Sequence, residues 1–254
     1  MAAGTGTRLN PLTLNMPKCL TEVNGVPILG RLLDNLKALE FKKVIIVTGY
    51  LEDKIRSFVG NEKWKNINFE FVHSERYNST NNIYSLWLAS NRIVESFLLL
   101  ESDLVFDRSL IEDLLIPNRI AISKYLSFMN GTAVLINSKG IVSKFLMSGR
   151  NVIYPAGLNL FKTVNIYSLS LNSWNSLAKE LERKIKSGHV NDYYEVVFSD
   201  LVNRGELTFK STKFDSKRWF EIDTIEDLAM AEELFSNQKP TFEMKPLKIA
   251  GNRR

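Results

Sequence analysis

The stretch Ala-Ala-Gly-Thr-Gly-Thr-Arg-Leu at residues 2–9, followed by Pro17 and Lys18, constrains this chain more than any other segment. Glycines flanked by alanines let backbone N–H groups approach a phosphate where a side chain would clash. Arg8 and Lys18 place two fixed positive charges beside that loop. The combination predicts a nucleoside triphosphate site, with Ala2, Ala3, Gly4, Thr5, Gly6 and Arg8 contacting the nucleotide. A loop of this kind belongs after a buried strand, at the carboxyl edge of a parallel sheet. Met1 stands where that strand would end, so the first strand is expected to be missing and the true start to lie upstream.

The loop is not a Walker A motif, because no Gly-Lys-Ser/Thr follows it. It is not the dinucleotide fingerprint either, because position 9 is leucine where a third glycine is needed. With 254 residues, 44% of them hydrophobic and 24% charged, the chain can bury one sizeable core. A single domain over 1–235 is expected, followed by a basic tail or linker over 236–254 that contains two prolines. The runs Val44–Val47 and Phe97–Leu100 are too short to span a bilayer. The lone Cys19 excludes an internal disulfide and a cysteine metal cluster, fits a cytoplasmic protein, and is expected as a small buried neighbour of the loop. The net charge of +5 is partly in the tail and otherwise dispersed, which suits small anionic substrates and argues against nucleic acid or membrane partners.

Apolar runs of strand length alternate with helical periodicity through the first half. A helix is predicted over 27–39, a strand over 44–47, a short helix over 52–58 and a strand over 69–72. A helix over 82–93 and a strand over 97–100 follow. This βαβαβ rhythm predicts a Rossmann-like α/β fold, a mostly parallel, mixed sheet flanked by helices. The second half predicts a hairpin over 132–147, a strand over 164–169, and a helix over 171–186 closed by Ser187-Gly188. A helix over 193–203, strands over 207–211 and 219–223, and a helix over 225–235 capped by Thr224 with Asp227 complete the pattern.

Residues 2–9, Pro11-Leu-Thr13 and Pro17-Lys18 together resemble the signature of sugar-phosphate-type nucleotidyltransferases, and Val23–Pro27, Val47–Tyr50 and Glu221–Asp223 continue the match. Asn81-Asn-Ile-Tyr-Ser-Leu86 resembles the branch that uses CTP, the phosphocholine and phosphonate cytidylyltransferases. Asn130-Gly-Thr132 and Phe161–Tyr167 are most similar to the phosphonate members. The resemblance implies a GT-A-like nucleotidyltransferase fold and transfer of CMP from CTP to a small phosphonate, 2-aminoethylphosphonate or a hydroxyalkyl phosphonate, with release of pyrophosphate. Phosphocholine or another alkyl phosphate is the alternative acceptor, and a non-catalytic nucleotide-binding protein of the same fold is a further one. Either a homodimer or a fusion to another enzyme of the same pathway is compatible with this reading.

The chemistry assigns roles to residues. Arg8 and Lys18 are expected to offset charge on the triphosphate, Lys18 bridging the α-phosphate and the incoming anion. Asp103 lies just beyond a strand's carboxyl end and Asp223 ends another, and the resemblance gives both the role of magnesium ligand, through hard carboxylate oxygens. Asn81, Asn82 and Ser85 offer partners for a pyrimidine edge or ribose, although Asn81 equally suits a helix N-cap. Lys162 is expected as a contact of the acceptor or the α-phosphate, with a rim lysine as the alternative. Asn130 and Glu221 complete the expected substrate site; Asn130 stands where the resemblance leads one to expect an aspartate suited to an ammonium. His73 and His189 have no nucleophile at a persuasive spacing, which argues against a hydrolase triad.

Overall fold

The structure is a computed structural model that describes residues 1–126, 129, 131–147, 159–216 and 218–236. The phosphate-loop segment leads through short 3-10 turns into a minimal hairpin of β1 (Glu22–Val23) and β2 (Val26–Pro27). Its two-residue turn, Asn24-Gly25, has both φ angles positive (50° and 74°), the combination an Asn-Gly pair supplies for tight hairpins. Helix α1 (Ile28–Ala38) follows and buries Leu29, Leu32, Leu33 and Leu36, the stripe its spacing predicts. Then come β3 (Lys43–Thr48), α2 (Glu52–Val59), β4 (Asn68–His73), α3 (Asn82–Leu88) and β5 (Phe97–Leu100). The helix expected over 82–93 stops at Leu88 and tightens into a 3-10 turn at Ser90–Arg92.

Three elements without a clear periodic signal come next: β6 (Leu104–Phe106), α4 (Ser109–Glu112) and β7 (Arg119–Lys124). The predicted hairpin is β8 (Ala133–Ile136) and β9 (Val142–Leu146), turning through Gly140 at φ 73°. The strand expected over 164–169 is the second half of a ten-residue β10 (Leu160–Leu169). Helices α5 (Leu171–Lys186) and α6 (Glu195–Asn203), strands β11 (Lys210–Phe214) and β12 (Trp219–Glu221), and helix α7 (Ile225–Leu234) finish the chain. Here β11 begins three residues later than the apolar run suggests, because Leu207 and Phe209 are buried ahead of the strand.

The longest strand organises the sheet. Along its length β10 pairs antiparallel with β5, β7 and β8, and a register shift between Thr163 and Tyr167, with Asn165 at φ 59°, lets it change neighbours. Parallel pairing joins β3 to β4 and β7 to β11. The sheet is therefore mixed, with more antiparallel pairing than the βαβ rhythm alone predicts. Residues 1–3 stand between β3 and β5, Ala2 bridging Thr48 in parallel. One face carries α1 and α2, whose Leu33 and Ile55 share a core cluster with Ile46 of β3; the other carries α5 and α6, whose Trp174 and Phe198 join Tyr167, Tyr194 and Phe209 in an aromatic-rich core. Among the described residues no helix is long and apolar enough to cross a membrane. The tail expected at 236–254 lies, from residue 237 on, outside the described residues.

Candidate active site

The glycine-rich loop leaves the sheet at Ala3 and turns at Gly6, which has φ 65°. A Cβ at Gly6 would stand 2.8 Å from Lys18 Cβ, so glycine serves both the left-handed backbone and the close passage of Lys18. The N–H groups of Gly4, Thr5, Gly6 and Thr7 make no hydrogen bond with the described residues, which leaves successive donors available to an anion. Behind the loop, the Thr48-Gly49-Tyr50 segment acts as a brace. Tyr50 N donates to Ala3 O at 3.1 Å, and its hydroxyl lies 2.7 Å from Leu14 O and 3.0 Å from Thr13 O. A Cβ at Gly49 would meet Ala3 O at 2.8 Å and Tyr77 Cβ at 2.6 Å, which explains the glycine there. Thr13 in turn donates to Gly6 O at 2.8 Å.

Lys18 enters from a 3-10 turn set by the extended Pro17. Its Nζ lies 2.8 Å from Asp103 Oδ2 and 2.6 Å from Asp223 Oδ1, and an Arg8 guanidinium nitrogen is 2.8 Å from the same Asp223 oxygen. The two aspartates meet because β12 pairs antiparallel with β6, Glu221 opposite Leu104, and because Ile222 N donates to Asp103 O at 3.0 Å. Asp227, in the capping box of α7, accepts from Asp223 N (3.0 Å) and Thr224 N (2.8 Å) and so fixes the strand end. Burial works against the charge of Lys18, but the two carboxylates outweigh it and hold the ammonium above its ordinary range. Burial would likewise raise Asp223; Lys18 and Arg8 outweigh it and hold the carboxylate below its usual range. Cys19 is buried beside them, as expected, and burial pushes its thiol up to about 12.

A second cation lies alongside. Lys162 is only 2% exposed, which removes the rim alternative; its Nζ is 3.3 Å from Glu221 Oε2 and donates to Thr163 O at 2.8 Å. Asn165, which the sequence did not mark, donates to Glu221 Oε1 at 2.9 Å. Burial raises the Glu221 carboxyl against the opposing pull of Lys162. A Cβ at Gly131 would stand 3.2 Å from Lys162 Nζ, so the segment expected to recognise the acceptor borders this lysine; Asn130 itself lies outside the described residues.

Of the expected pyrimidine and ribose partners, Asn81 serves as the N-cap of α3, accepting from Asn82 N at 2.7 Å. Asn82 accepts from Tyr194 N at 3.0 Å and reaches Glu101 at 3.5 Å, which ties α3 to the acidic end of β5. Ser85 is buried within α3. The geometry thus gathers Arg8, Lys18, Asp103 and Asp223, and adjacent to them Lys162 and Glu221. The donor set fits a hard divalent cation: Asp103 Oδ1 is buried with no hydrogen-bond partner, and both carboxylates already attend one positive charge. Among the described residues there is no group of three or more metal-ligating side chains, so phosphates and water would supply the remaining ligands of such an ion.

A family model for the MobA-like NTP transferase domain matches residues 1–119, the part that holds the loop, Lys18 and Asp103. The first half of the chain is thus similar to the nucleotidyltransferases. The chain is 28% identical, over 93% of its length, to the CMP-5'-(3-aminopropyl)phosphonate synthase of Streptomyces rubellomurinus, of which it spans 38%. It is 25% identical to the choline-phosphate cytidylyltransferase of Streptococcus pneumoniae, over 94% of this chain and 97% of that one. Among solved structures, the CTP:phosphocholine cytidylyltransferase of Streptococcus pneumoniae superposes with a TM-score of 0.77 at 22% identity, covering 92% of this chain and 96% of that one. That likeness establishes the GT-A-like fold.

Proposed function

We propose that this chain transfers CMP from CTP to a small phosphonate and releases pyrophosphate. The reading rests chiefly on one observation: Lys18 bridges Asp103 and Asp223 beside a loop whose amides at Gly4, Thr5, Gly6 and Thr7 make no hydrogen bond with the described residues. Those amides and Arg8 suit the β- and γ-phosphates, and Lys18 suits the α-phosphate. An oxygen of the acceptor attacks the α-phosphorus, a new P–O bond forms, the bond to the β-phosphate oxygen breaks, and pyrophosphate departs with that electron pair. The attacking oxygen already carries negative charge, so positioning and charge neutralisation carry the step. Magnesium, held by Asp103 and Asp223, supplies charge neutralisation to the phosphate oxygens when bound.

Lys162 is the group that suits the acceptor's anionic head, held in place by Glu221. The phosphonate synthase among the relatives supports a phosphonate acceptor. The neutral amide of Asn130, in place of an aspartate, favours a hydroxyalkyl tail over an ammonium. A second reading, phosphocholine as acceptor, is supported by the relative that this chain spans almost end to end.

A pyrophosphate-release assay with magnesium tests both, crossing the four ribonucleoside triphosphates with aminoethyl-, hydroxyethyl- and methylphosphonate and with phosphocholine. CTP with a phosphonate is expected to turn over fastest. Asp103→Ala and Asp223→Ala are each expected to cost at least about a hundredfold in kcat with the fold retained. Absence of turnover for every pair would overturn the enzyme reading.

A further inference from the structure

Strand β10 changes neighbours in its middle, and the residue at the change is Asn165. Before it, Leu160, Phe161 and Lys162 pair with β8; after it, Ile166 to Leu169 pair with β5. Against β7 the register moves from Thr163 opposite Ile122 to Tyr167 opposite Ile120, so β10 carries extra residues there. Asn165 absorbs them at φ 59°, in the left-handed region that asparagine tolerates better than most residues with a side chain. Val164 and Ile166 on either side are fully buried in one core cluster with Trp219 of β12, which holds the distortion in place.

The backbone alone would be served by glycine. Asparagine brings an amide as well, and both of its ends are used. Its Oδ1 lies 3.0 Å from the Thr163 hydroxyl. That hydroxyl is also 2.9 Å from Thr132 O, which already accepts from Thr163 N at 3.1 Å. With Oδ1 turned to the hydroxyl, Nδ2 donates to Glu221 Oε1 at 2.9 Å, and Glu221 presents Oε2 to Lys162 Nζ at 3.3 Å. One side chain thus joins the bulge to the end of β12 and, through Thr163, to Thr132. Lys162 needs such support, because its stem is flexible and 3.3 Å is longer than a charge-assisted hydrogen bond. Glu221 is itself pulled two ways, since Lys18 attracts it as well as Lys162. A donor held on the rigid bulge settles the carboxylate on the Lys162 side.

We propose that Asn165 is a positioning residue for the acceptor: through Glu221 it holds the Lys162 ammonium where the anionic head of a phosphonate or phosphate monoester binds. This role rests on the acceptor contact assigned to Lys162 above. Asn165 acts through Glu221 and Lys162 rather than on the reacting atoms. A head-group contact made equally in the ground and transition states shows itself in KM for the acceptor, with kcat little changed. A residue that served only the fold would not separate the acceptor from CTP in this way.

Two variants of the full chain separate the donor from the backbone. Asn165→Gly keeps the left-handed conformation and loses both amide contacts; Asn165→Asp keeps the shape and the Thr163 contact but replaces the donor to Glu221 by an acceptor. Pyrophosphate release is measured with magnesium, CTP and hydroxyethylphosphonate, and with phosphocholine in its place. Trace acetylation by acetic anhydride, read by mass spectrometry, reports how firmly Lys162 is held, with Lys18 as the internal reference. Both variants are expected to raise KM for the acceptor about tenfold, the scale of one hydrogen bond to a charged group, with kcat and KM for CTP within about threefold of the parent. Lys162 is expected to be acetylated several-fold faster in Asn165→Gly, and Lys18 at its parent rate. An unchanged acceptor KM in Asn165→Asp, or an equal rise in KM for CTP, would overturn the role. If the parent turns over neither acceptor, the transfer reading fails on that result, and acetylation decides the positioning role: equal Lys162 rates in parent and Asn165→Gly overturn it, and a selective rise supports it.

Discussion

Glu195 illustrates how a single buried acid can set the pH response of this protein. It is 4% exposed at the start of α6, its Oε1 accepts from the Tyr167 hydroxyl at 3.2 Å, and its Oε2 is buried without a partner. Burial pushes its carboxyl up to about 7, with Glu101 acting in the same direction. An acid raised in the folded state keeps its proton there while the unfolded chain loses it at about 4.3. Its contribution to stability is therefore complete below that unfolded value and is lost as pH rises towards 7, with a slope of up to about 1.4 kcal/mol per pH unit. Glu195→Gln removes the titration and keeps the shape. Urea unfolding of the variant at several pH values is expected to show a shallower fall in stability between about pH 4.5 and 7 than the parent. Parallel profiles would refute this account of Glu195.

Among the elements, α7 joins a stability device to a functional one. Thr224 Oγ accepts from Asp227 N at 3.1 Å, and Asp227 returns the bond to Thr224 N while also holding Asp223 N. Thr224→Ala is expected to cost about 1 kcal/mol, lowering Tm by about 2–4 °C with kcat/KM unchanged. Asp227→Ala is expected to lower Tm similarly and also to reduce kcat/KM by about tenfold, because Asp223 loses its clamp; equal kinetics in the two variants would separate the cap from the site. This cap was legible in the sequence, since a Thr-x-x-Asp spacing has one local meaning. So were α1, β3, the β8–β9 hairpin and α5, where periodicity or turn residues decide. β6 and β7 were not, because each depends on distant partners: β6 on β12, and β7 on β10 and β11. The charged site followed the same division. Arg8, Lys18 and Asp223 stand in recognisable motifs, and Asp103 just beyond the apolar run of a strand. Asn165 and the bracing hydroxyl of Tyr50 act only through contacts that folding creates, the first reaching Glu221 56 residues along the chain.

At the scale of the whole molecule, Lys18 is a cross-link between the two ends of the domain, beside the Arg8–Asp223 pair. Its bonds to Asp103 and Asp223 span 85 and 205 residues, and its side chain is only 17% exposed. Without it the two carboxylates would face each other with Arg8, itself 60% exposed, as the compensating charge beside Asp223. Lys18→Met, close in volume and uncharged, is therefore expected to lower Tm by about 5 °C, the partial exposure of the pair keeping the loss below that of a fully buried one. A divalent cation attracted to the same oxygens would replace the missing charge. Millimolar magnesium without nucleotide is accordingly expected to recover most of the lost Tm in Lys18→Met, while leaving the parent nearly unmoved because its ammonium already fills the position. If magnesium acts equally on both proteins, the ammonium and the metal do not share the two aspartates. A differential effect would mean that lysine holds the strand ends together until metal and triphosphate arrive, so that one residue assembles the site and then serves within it.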